Sequence, residues 1–401
     1  MTAFLDMAPF VPREDSMLRH GLLDLASTLN REAAKLTGRL ADETAETIRQ
    51  HMAVINSYYS NLIEGNRTLP HQIREAQRGD FSQDPVARDH QLESVAHIDV
   101  QDWIQDEKPD LARVCSPEFL LELHQRFYQD LPETLRIMKL EDGGESFVEP
   151  GAFRRQLVTV GRHQPPAAED ISQLVGQTCD HYAGQFYPGD KRFVALACAH
   201  HRLLWIHPFL DGNGRVIRLW TDAAWAAAGL ESVGVWCLSR GLAKQSEAYK
   251  SKLARADFPR QGNHDGRGYL SETELALFCK FMLETALDQV DYISKLLDLG
   301  GMQKRIRSYV QARNDSRIHG FDGGLKPEAS QILFQAFIQG NLERSTALEM
   351  TGSKEDRTAR RLIKQLKDDG LLSETSSRSP LKWEIPEHAE PFYFPQLAPG
   401  I

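Results

Sequence analysis

The chain has 401 residues, 41% of them hydrophobic, and a formal net charge of −9 at pH 7. That length exceeds one ordinary domain and the composition can fill a core plus a second module, so two or three domains are expected. The acidic balance gives no bulk attraction for nucleic acid.

The N-terminus, Met1-Thr-Ala-Phe-Leu-Asp-Met-Ala-Pro9, has no basic region followed by an apolar secretory core, and the most apolar later helix is interrupted by His200, His201 and Arg202. A cytoplasmic protein with no membrane span is expected. The five cysteines, at 115, 179, 198, 237 and 279, include no CxxC pair, which argues against a zinc site or a disulfide framework and for small buried side chains.

From about Glu43 to Glu64, the residues Ile48, Met52, Ile55, Tyr59, Leu62 and Ile63 recur at helical steps, and Gly65-Asn66 supplies a stop. Glu64 therefore closes a helix, where the negative end of the dipole disfavours a carboxylate unless a cation meets it. Ser60 lies one turn earlier on the same face. Further on, Phe147-Val-Glu-Pro-Gly151-Ala-Phe-Arg154 precedes Leu157-Val158-Thr159-Val160-Gly161, and the mixture of β-favouring and turn residues predicts a short hairpin.

Phe193, Leu196, Ala197, Leu203 and Leu204 mark a helix that runs up to His207. Pro208 disfavours helical geometry before it, which leaves the imidazole at an element terminus. In the run His207-Pro-Phe-Leu-Asp211-Gly212-Asn213-Gly214-Arg215-Val-Ile-Arg218, the two glycines flank Asn213 and suit an anion-binding nest of backbone amides. The helix after the turn directs its positive end at the same anion. Arg215 and Arg218, three apart, share a helix face from which both could grip a polyphosphate. Asp211 is a hard oxygen ligand suited to Mg2+, and His207, with an ordinary pKa of about 6.5, can take a proton from a hydroxyl at neutral pH. His200 and His201 do not join His207 in a metal set, because adjacent residues diverge around a helix and no second carboxylate completes it. No P-loop sequence occurs.

The run from His207 to Arg218 resembles the signature of the Fic family, typically protein adenylyltransferases. The resemblance implies a mainly α fold: a Fic-type helical core with a small β-hairpin flap. His207 would be the catalytic base, Asp211 the metal ligand, and Gly212, Asn213, Gly214, Arg215 and Arg218 the nucleotide site. AMP would pass from ATP to a Ser, Thr or Tyr hydroxyl of a target protein, with self-modification as a further route, and the chain would pair as a homodimer. Leu157, Val158, Thr159 and Val160 resemble the flap that docks the target segment by strand addition. Ser60-Asn-Leu-Ile-Glu64-Gly65-Asn66 is similar to the family's inhibitory helix, which implies that Glu64 pairs with Arg218 and obstructs the γ-phosphate position. The same carboxylate could orient water for removal of AMP, and the sequence does not choose the direction. The arginine pair argues for a triphosphate donor and says little about the base.

Residues 313–324 are rich in turn formers, and a linker is expected there. Beyond it, helices are predicted from Pro327 to Ile338, Ser345 to Met350 and Lys354 to Asp369, followed by two short strands. That order resembles the winged-helix module attached to many Fic proteins. Arg357, Arg360, Arg361 and Lys364 form a basic stripe on the third helix, which fits DNA, a docking protein or a solvated face. The expected division is 1–105 for an N-terminal helical region with the inhibitory helix at about 43–64, 106–300 for the Fic core, 301–325 for the linker, 326–386 for the winged helix and 387–401 for an extended tail. The rival functional reading is a DNA-binding regulator that uses the core to sense nucleotide or as an inactive scaffold.

Overall fold

The computed structural model describes residues 2–139, 143–183, 187–321, 323–352 and 356–397. Its main elements are α1 (Asp42–Ile63), α2 (Pro85–Glu107), α3 (Pro117–Tyr128), β1 (Ile137–Lys139), β2 (Glu145–Phe147), α4 (Ile171–Tyr182), α5 (Lys191–Ile206), α6 (Asn213–Ala227), α7 (Ser246–Ala256), α8 (Glu272–Leu296), α9 (Leu299–Asn314), α10 (Ala329–Gln339), β3 (Asn341–Leu342), α11 (Arg344–Met350), α12 (Asp356–Asp368), β4 (Leu372–Ser373) and β5 (Leu381–Trp383). Among the described residues no helix is long and apolar enough to cross a membrane.

Local chemistry accounts for the helix starts. Asp84 and Ser116 cap α2 and α3 by accepting the amides of Ala87 and Phe119, and each helix begins with a proline whose missing N–H has no partner to lose. At the other end of α1, Gly65 takes a positive φ of 100° and the amide of Asn66 reaches back to the Asn61 carbonyl, the six-residue closure that the Gly65-Asn66 pair predicts.

Two compact units form, one from residues 1–34 and 56–289, the other from 35–55 and 290–401. The boundaries fall inside α1 and α8, whereas the sequence reading kept residues 1–105 together. In the first unit α6 is the central helix, laid against α2, α3 and α5. Val216, Ile217, Leu219, Trp220 and Trp225 are buried along it, and Trp220 Nε1 donates to the Val114 carbonyl. Burial on every side holds both ends of this helix in place, and its N-terminus carries the glycine turn.

In the second unit α10, α11 and α12 are followed by β4 and β5, and the three strands order β3-β5-β4, all antiparallel. Trp383 on β5 is buried, and Thr44 and Thr47 of α1 donate to the carbonyls of Phe337 and Trp383. The predicted start of the third helix at Lys354 lies outside the described residues.

Three expectations need correction. The linker placed at 301–325 is helical as far as Asn314, because Asp298 caps α9 through the Gly301 amide and Met302, Ile306, Tyr309 and Val310 are buried. The tail after Pro386 is not extended: Tyr393, Phe394 and Leu397 are buried and Glu390–Tyr393 is helical. The hairpin lies at β1 and β2, with Ile137 opposite Phe147, and residues 157–161 contribute only a bridge from Val160 to His163. Arg154 consumes the carbonyls beside that segment, as described below.

Trp220→Ala is expected to destabilise the protein by about 3–5 kcal/mol through the cavity it leaves and the lost hydrogen bond. A denaturant midpoint unchanged from the parent would contradict the central place given to α6.

Candidate active site

His207 ends α5 in the left-handed region, with φ 50° and ψ 62°. A non-glycine residue pays for that conformation, and such strain concentrates at positions where the side chain must be aimed. Arg154 holds the geometry. Its Nε donates to the His207 carbonyl at 2.8 Å, its other nitrogens take the carbonyls of Gln156 and Pro166, and its own amide donates to the Pro208 carbonyl. One buried guanidinium thus ties both flanks of residues 157–165 to the end of α5. Burial, reinforced by the charges of Arg154 and His163, pulls the His207 imidazole down to about 4, so the ring is neutral at pH 7. No hydrogen bond to its ring nitrogens occurs among the described residues.

The turn after it is built differently from the nest expected of two permissive glycines. Only Gly212 has a positive φ, 81°, and Gly214 already lies in the first turn of α6. Asn213 faces inward: its side chain accepts from the Phe209 amide at 2.9 Å and donates to the Phe209 carbonyl at 2.8 Å, which closes the loop. Asn213 therefore shapes the turn and does not present its side chain to a ligand. Gly214 is needed for space, since a Cβ there would collide with Glu64 Oε1. The first amides of α6 have no acceptor within the helix, and the Glu64 carboxylate lies against Gly214 in that first turn.

That carboxylate is fixed by Arg218, which is 2% exposed. Arg218 donates Nη2 to Glu64 Oε1 at 2.8 Å, Nη2 to the Ser60 carbonyl and Nε to Ser60 Oγ at 2.9 Å each. Burial opposes ionisation of Glu64, yet the guanidiniums of Arg218 and Arg215 hold its carboxyl below the usual range. Lys250 on α7 donates to the Ile63 carbonyl at 3.1 Å and completes the clamp on the end of α1.

Arg215 and Arg218 do not act as a pair of parallel forks. Arg215 turns toward Glu93 on α2 at 2.5 Å and Asp211 at 3.0 Å, with its guanidinium 5.0 Å from the Phe127 ring. Asp211 Oδ2 also accepts from the Tyr128 hydroxyl at 2.5 Å. Burial raises the Asp211 carboxyl, but Arg215, Tyr128 and the Gly212 amide outweigh it, so the group is ionised. His124 braces the same loop. Its Nδ1 accepts from the Gly151 amide, which leaves the proton on Nε2 to donate to the Asp211 carbonyl at 3.3 Å.

Two cavities meet at His207, Glu64 and Gly214, which line both. One, of about 430 Å³, is polar and includes Asn66, Glu93, Asp211 and Arg215. The other, of about 390 Å³, is largely apolar and includes Ile63, Val160, Trp205, Tyr249 and Leu253. Leu157 is 79% exposed and Val160 is 42% exposed, beside the second cavity's rim residues Gly161 and His163. Val158 and Thr159 lie in the same irregular segment. Among the described residues no group of three or more His, Cys, Asp or Glu is arranged to hold a metal. His200 is engaged at both nitrogens, by Thr221 and Tyr249. The residues that sequence reasoning missed are Glu93, His124, Tyr128, Arg154, Tyr249 and Lys250. They come from four separate segments, and only Arg154, inside the 147–161 stretch, carried a local signal.

The model of the Fic/DOC family matches residues 114–224. Over 112 residues the chain is 36% identical to a protein adenylyltransferase Fic of Drosophila mojavensis and 35% identical to that of Drosophila virilis, covering 28% of this chain each time and 22% and 23% of those proteins. The chain thus spans under a quarter of the length of these curated relatives. Its fold is similar to that of a Fic family protein from Desulfovibrio desulfuricans, with TM-score 0.54 at 18% identity over 93% of this chain and 98% of the other. A Fic domain containing signalling protein from Bacteroides thetaiotaomicron gives TM-score 0.51 at 18% identity, over 68% and 97%. The Fic/DOC match covers residues 114–224, and Glu64, Glu93 and Lys250 lie outside the matched stretch.

The depressed imidazole has a stability signature. Between about pH 4 and the unfolded histidine value of about 6.5, the unfolded chain binds a proton at residue 207 that the native chain does not, so stability climbs with pH across that window and levels off above it. His207→Ala is expected to flatten part of that climb. In NMR titrations the His207 ring signals should move near pH 4, and a midpoint near 6.5 would contradict the buried neutral ring.

Proposed function

We propose that this protein is a protein adenylyltransferase that moves AMP from ATP to a Ser, Thr or Tyr hydroxyl of a target protein and restrains itself with Glu64. The observation that carries the reading is the carboxylate of Glu64 over Gly214, paired with Arg218, beside a neutral imidazole. A chain that sets its own anion beside the first turn of a helix, where the amides are unpaired, has the makings of a site for a stronger one. The named relatives support the chemistry, and the apolar cavity supplies Tyr249, Leu253 and Trp205 for a planar base.

In this mechanism His207 takes the proton of the target hydroxyl as its oxygen attacks the α-phosphorus. The bond to the β-phosphate bridge oxygen breaks and pyrophosphate leaves. The first amides of α6 stabilise charge on the phosphate oxygens, and positioning supplies much of the remaining acceleration. Asp211, ionised and opening into the polar cavity with a side chain 30% exposed, would be the residue to hold a magnesium ion brought with the triphosphate. Such an ion would neutralise charge that develops on the leaving pyrophosphate. Residues 157–160 would align the target segment beside His207 by backbone hydrogen bonding.

Glu64→Gly is expected to raise transfer of label from α-labelled ATP with magnesium by at least about tenfold, the scale of one charge-assisted hydrogen bond. Adding His207→Ala to that variant should lower transfer by about 10²–10⁴-fold. Protein that stays unlabelled with Glu64→Gly, in lysate and on its own, would sink the reading.

A second activity is favoured by one observation in the other unit. We propose that the α10–α12 and β3–β5 arrangement is a winged helix whose third helix contacts DNA, because Arg357, Arg360, Arg361 and Lys364 are all exposed on α12. Replacing Arg357 and Arg361 by Ala should reduce the slope of log K against log salt for duplex DNA by about 2. Binding that ignores salt would contradict it.

A further inference from the structure

Glu64 and Arg218 form the ion pair that the sequence pattern anticipates, but the polar cavity contains a second one of different origin. Glu93 comes from the middle of α2, outside any motif. Its Oε1 accepts Arg215 Nη1 at 2.5 Å and its Oε2 accepts the side-chain amide of Asn66 at 3.1 Å. Asn66 is two residues past Glu64. The same amide also donates to the His90 carbonyl at 2.9 Å, while Asn66 Oδ1 accepts the amide of Thr68 at 3.0 Å and its hydroxyl at 2.8 Å. Asn66 is 5% exposed, so these bonds are shielded from water.

Glu93 therefore links two groups that nucleotide would have to disturb. On one side it holds the turn that carries Glu64, and on the other it occupies a guanidinium that a polyphosphate could use. Arg215 has little left to offer: Nη2 is spent on Asp211 and Tyr128, and Nε is buried with no partner among the described residues. The cavity thus sets three carboxylates, Glu64, Glu93 and Asp211, against Arg215 and the Arg218 that pairs with Glu64.

We propose that Glu93 is a positioning residue for the inhibitory turn: through Asn66 it fixes Gly65-Asn66 and hence Glu64, and through Arg215 it keeps that arginine from the nucleotide's phosphates. The proposal rests on the transferase reading, and goes beyond it by assigning a second restraint on α2 that acts independently of Arg218. Releasing it loosens the Glu64 turn and frees a cation, so triphosphate binds more tightly and transfer rises.

The test is a set of purified full-length variants: Glu93→Gln, Asn66→Ala, Glu64→Gly and Glu64→Gly combined with Glu93→Gln, each checked for an unchanged circular dichroism spectrum. In the parent background Glu93→Gln is expected to raise label transfer from ATP about tenfold, the effect of one charge-assisted hydrogen bond. Asn66→Ala, which cuts the link without touching Arg215, should raise it in the same direction by a smaller factor. With Glu64 already removed the turn has nothing left to hold, so Glu93→Gln should raise transfer only by what the freed Arg215 contributes, a smaller factor than in the parent, the non-additivity of residues acting through one another. Equal transfer by parent and Glu93→Gln, no rise in Asn66→Ala, or a fall when Glu93→Gln is added to Glu64→Gly would each overturn the assignment, the last by making Glu93 a support for the working Arg215. Calorimetric titration with ATP and magnesium separates this from the transferase reading. If Glu64→Gly transfers nothing, the activity is wrong, yet tighter ATP binding by Glu93→Gln than by the parent still supports the restraint and equal binding still overturns it.

Discussion

The carboxylate of Glu64 lies in the one place on α6 where only a glycine leaves room for it, over unpaired amides at the helix N-terminus and against a guanidinium that is almost wholly buried. Each part of that contact constrains another. Arg218 cannot be left alone in the interior, because an unpaired buried charge is far more costly than a paired one. The amides of the first turn need an acceptor, and Glu64, at the wrong end of its own helix dipole, needs a cation. The needs of Arg218 and Glu64 are met together when the end of α1 meets α6, and the amides of the first turn remain open beside them. The carboxylate side chain nonetheless remains 38% exposed toward the cavities, so solvent screens part of the attraction and a multiply charged ligand can compete for the arginine.

The rest of the first unit makes that meeting reproducible. Burial of Trp220 and its neighbours fixes the axis of α6, the Asn213 side chain closes the loop ahead of it, and His124 ties the loop to the Gly151 backbone. Arg154 then joins the strained His207 carbonyl to residues 156 and 166. Backbone carbonyls that would have formed a strand ladder at 157–161 are flanked by carbonyls already committed to this guanidinium, which accounts for an irregular segment where alternation suggested strands. Hydrogen bonding within the site has displaced local propensity, as it often does where a side chain must be aimed.

Legibility in the sequence followed range. Features that depend on neighbours along the chain could be read: the end of α1 at Gly65, the break at Pro208, the buried helix before His207, and the shared face of Ser60 and Glu64. Features that depend on distant partners could not. Arg215 and Arg218 stand three apart on a helix and were expected to reach the same ligand, but Glu93 and Asp211 pull one guanidinium aside while Ser60 and Glu64 hold the other. Spacing fixes where a side chain leaves the backbone, and a five-bond arginine stem leaves its head free to follow charge. The helical stretch 301–314 was obscured for the opposite reason. Gly300 and Gly301 look like breakers, but Asp298 turns them into the first turn of α9 by capping the Gly301 amide.

Charge and proton affinity are divided between the residues of the site in a consistent way. Glu64 and Asp211 at the polar cavity are held ionised by the guanidiniums beside them. His207 is the exception. Partly withdrawn from water and faced by the guanidinium of Arg154, it sheds its proton well below neutral pH, and no hydrogen bond holds its ring nitrogens among the described residues. A base that must be unprotonated before substrate arrives gains from such a setting, at the cost of a weaker pull on the proton it removes. On the transferase reading that weakness would be offset by polyphosphate beside the first turn of α6, because negative charge beside the ring raises its affinity for a proton at the moment one becomes available. On that reading the imidazole and the anion site are coupled through the field they share, and Glu64 supplies only part of the charge that a nucleotide would bring.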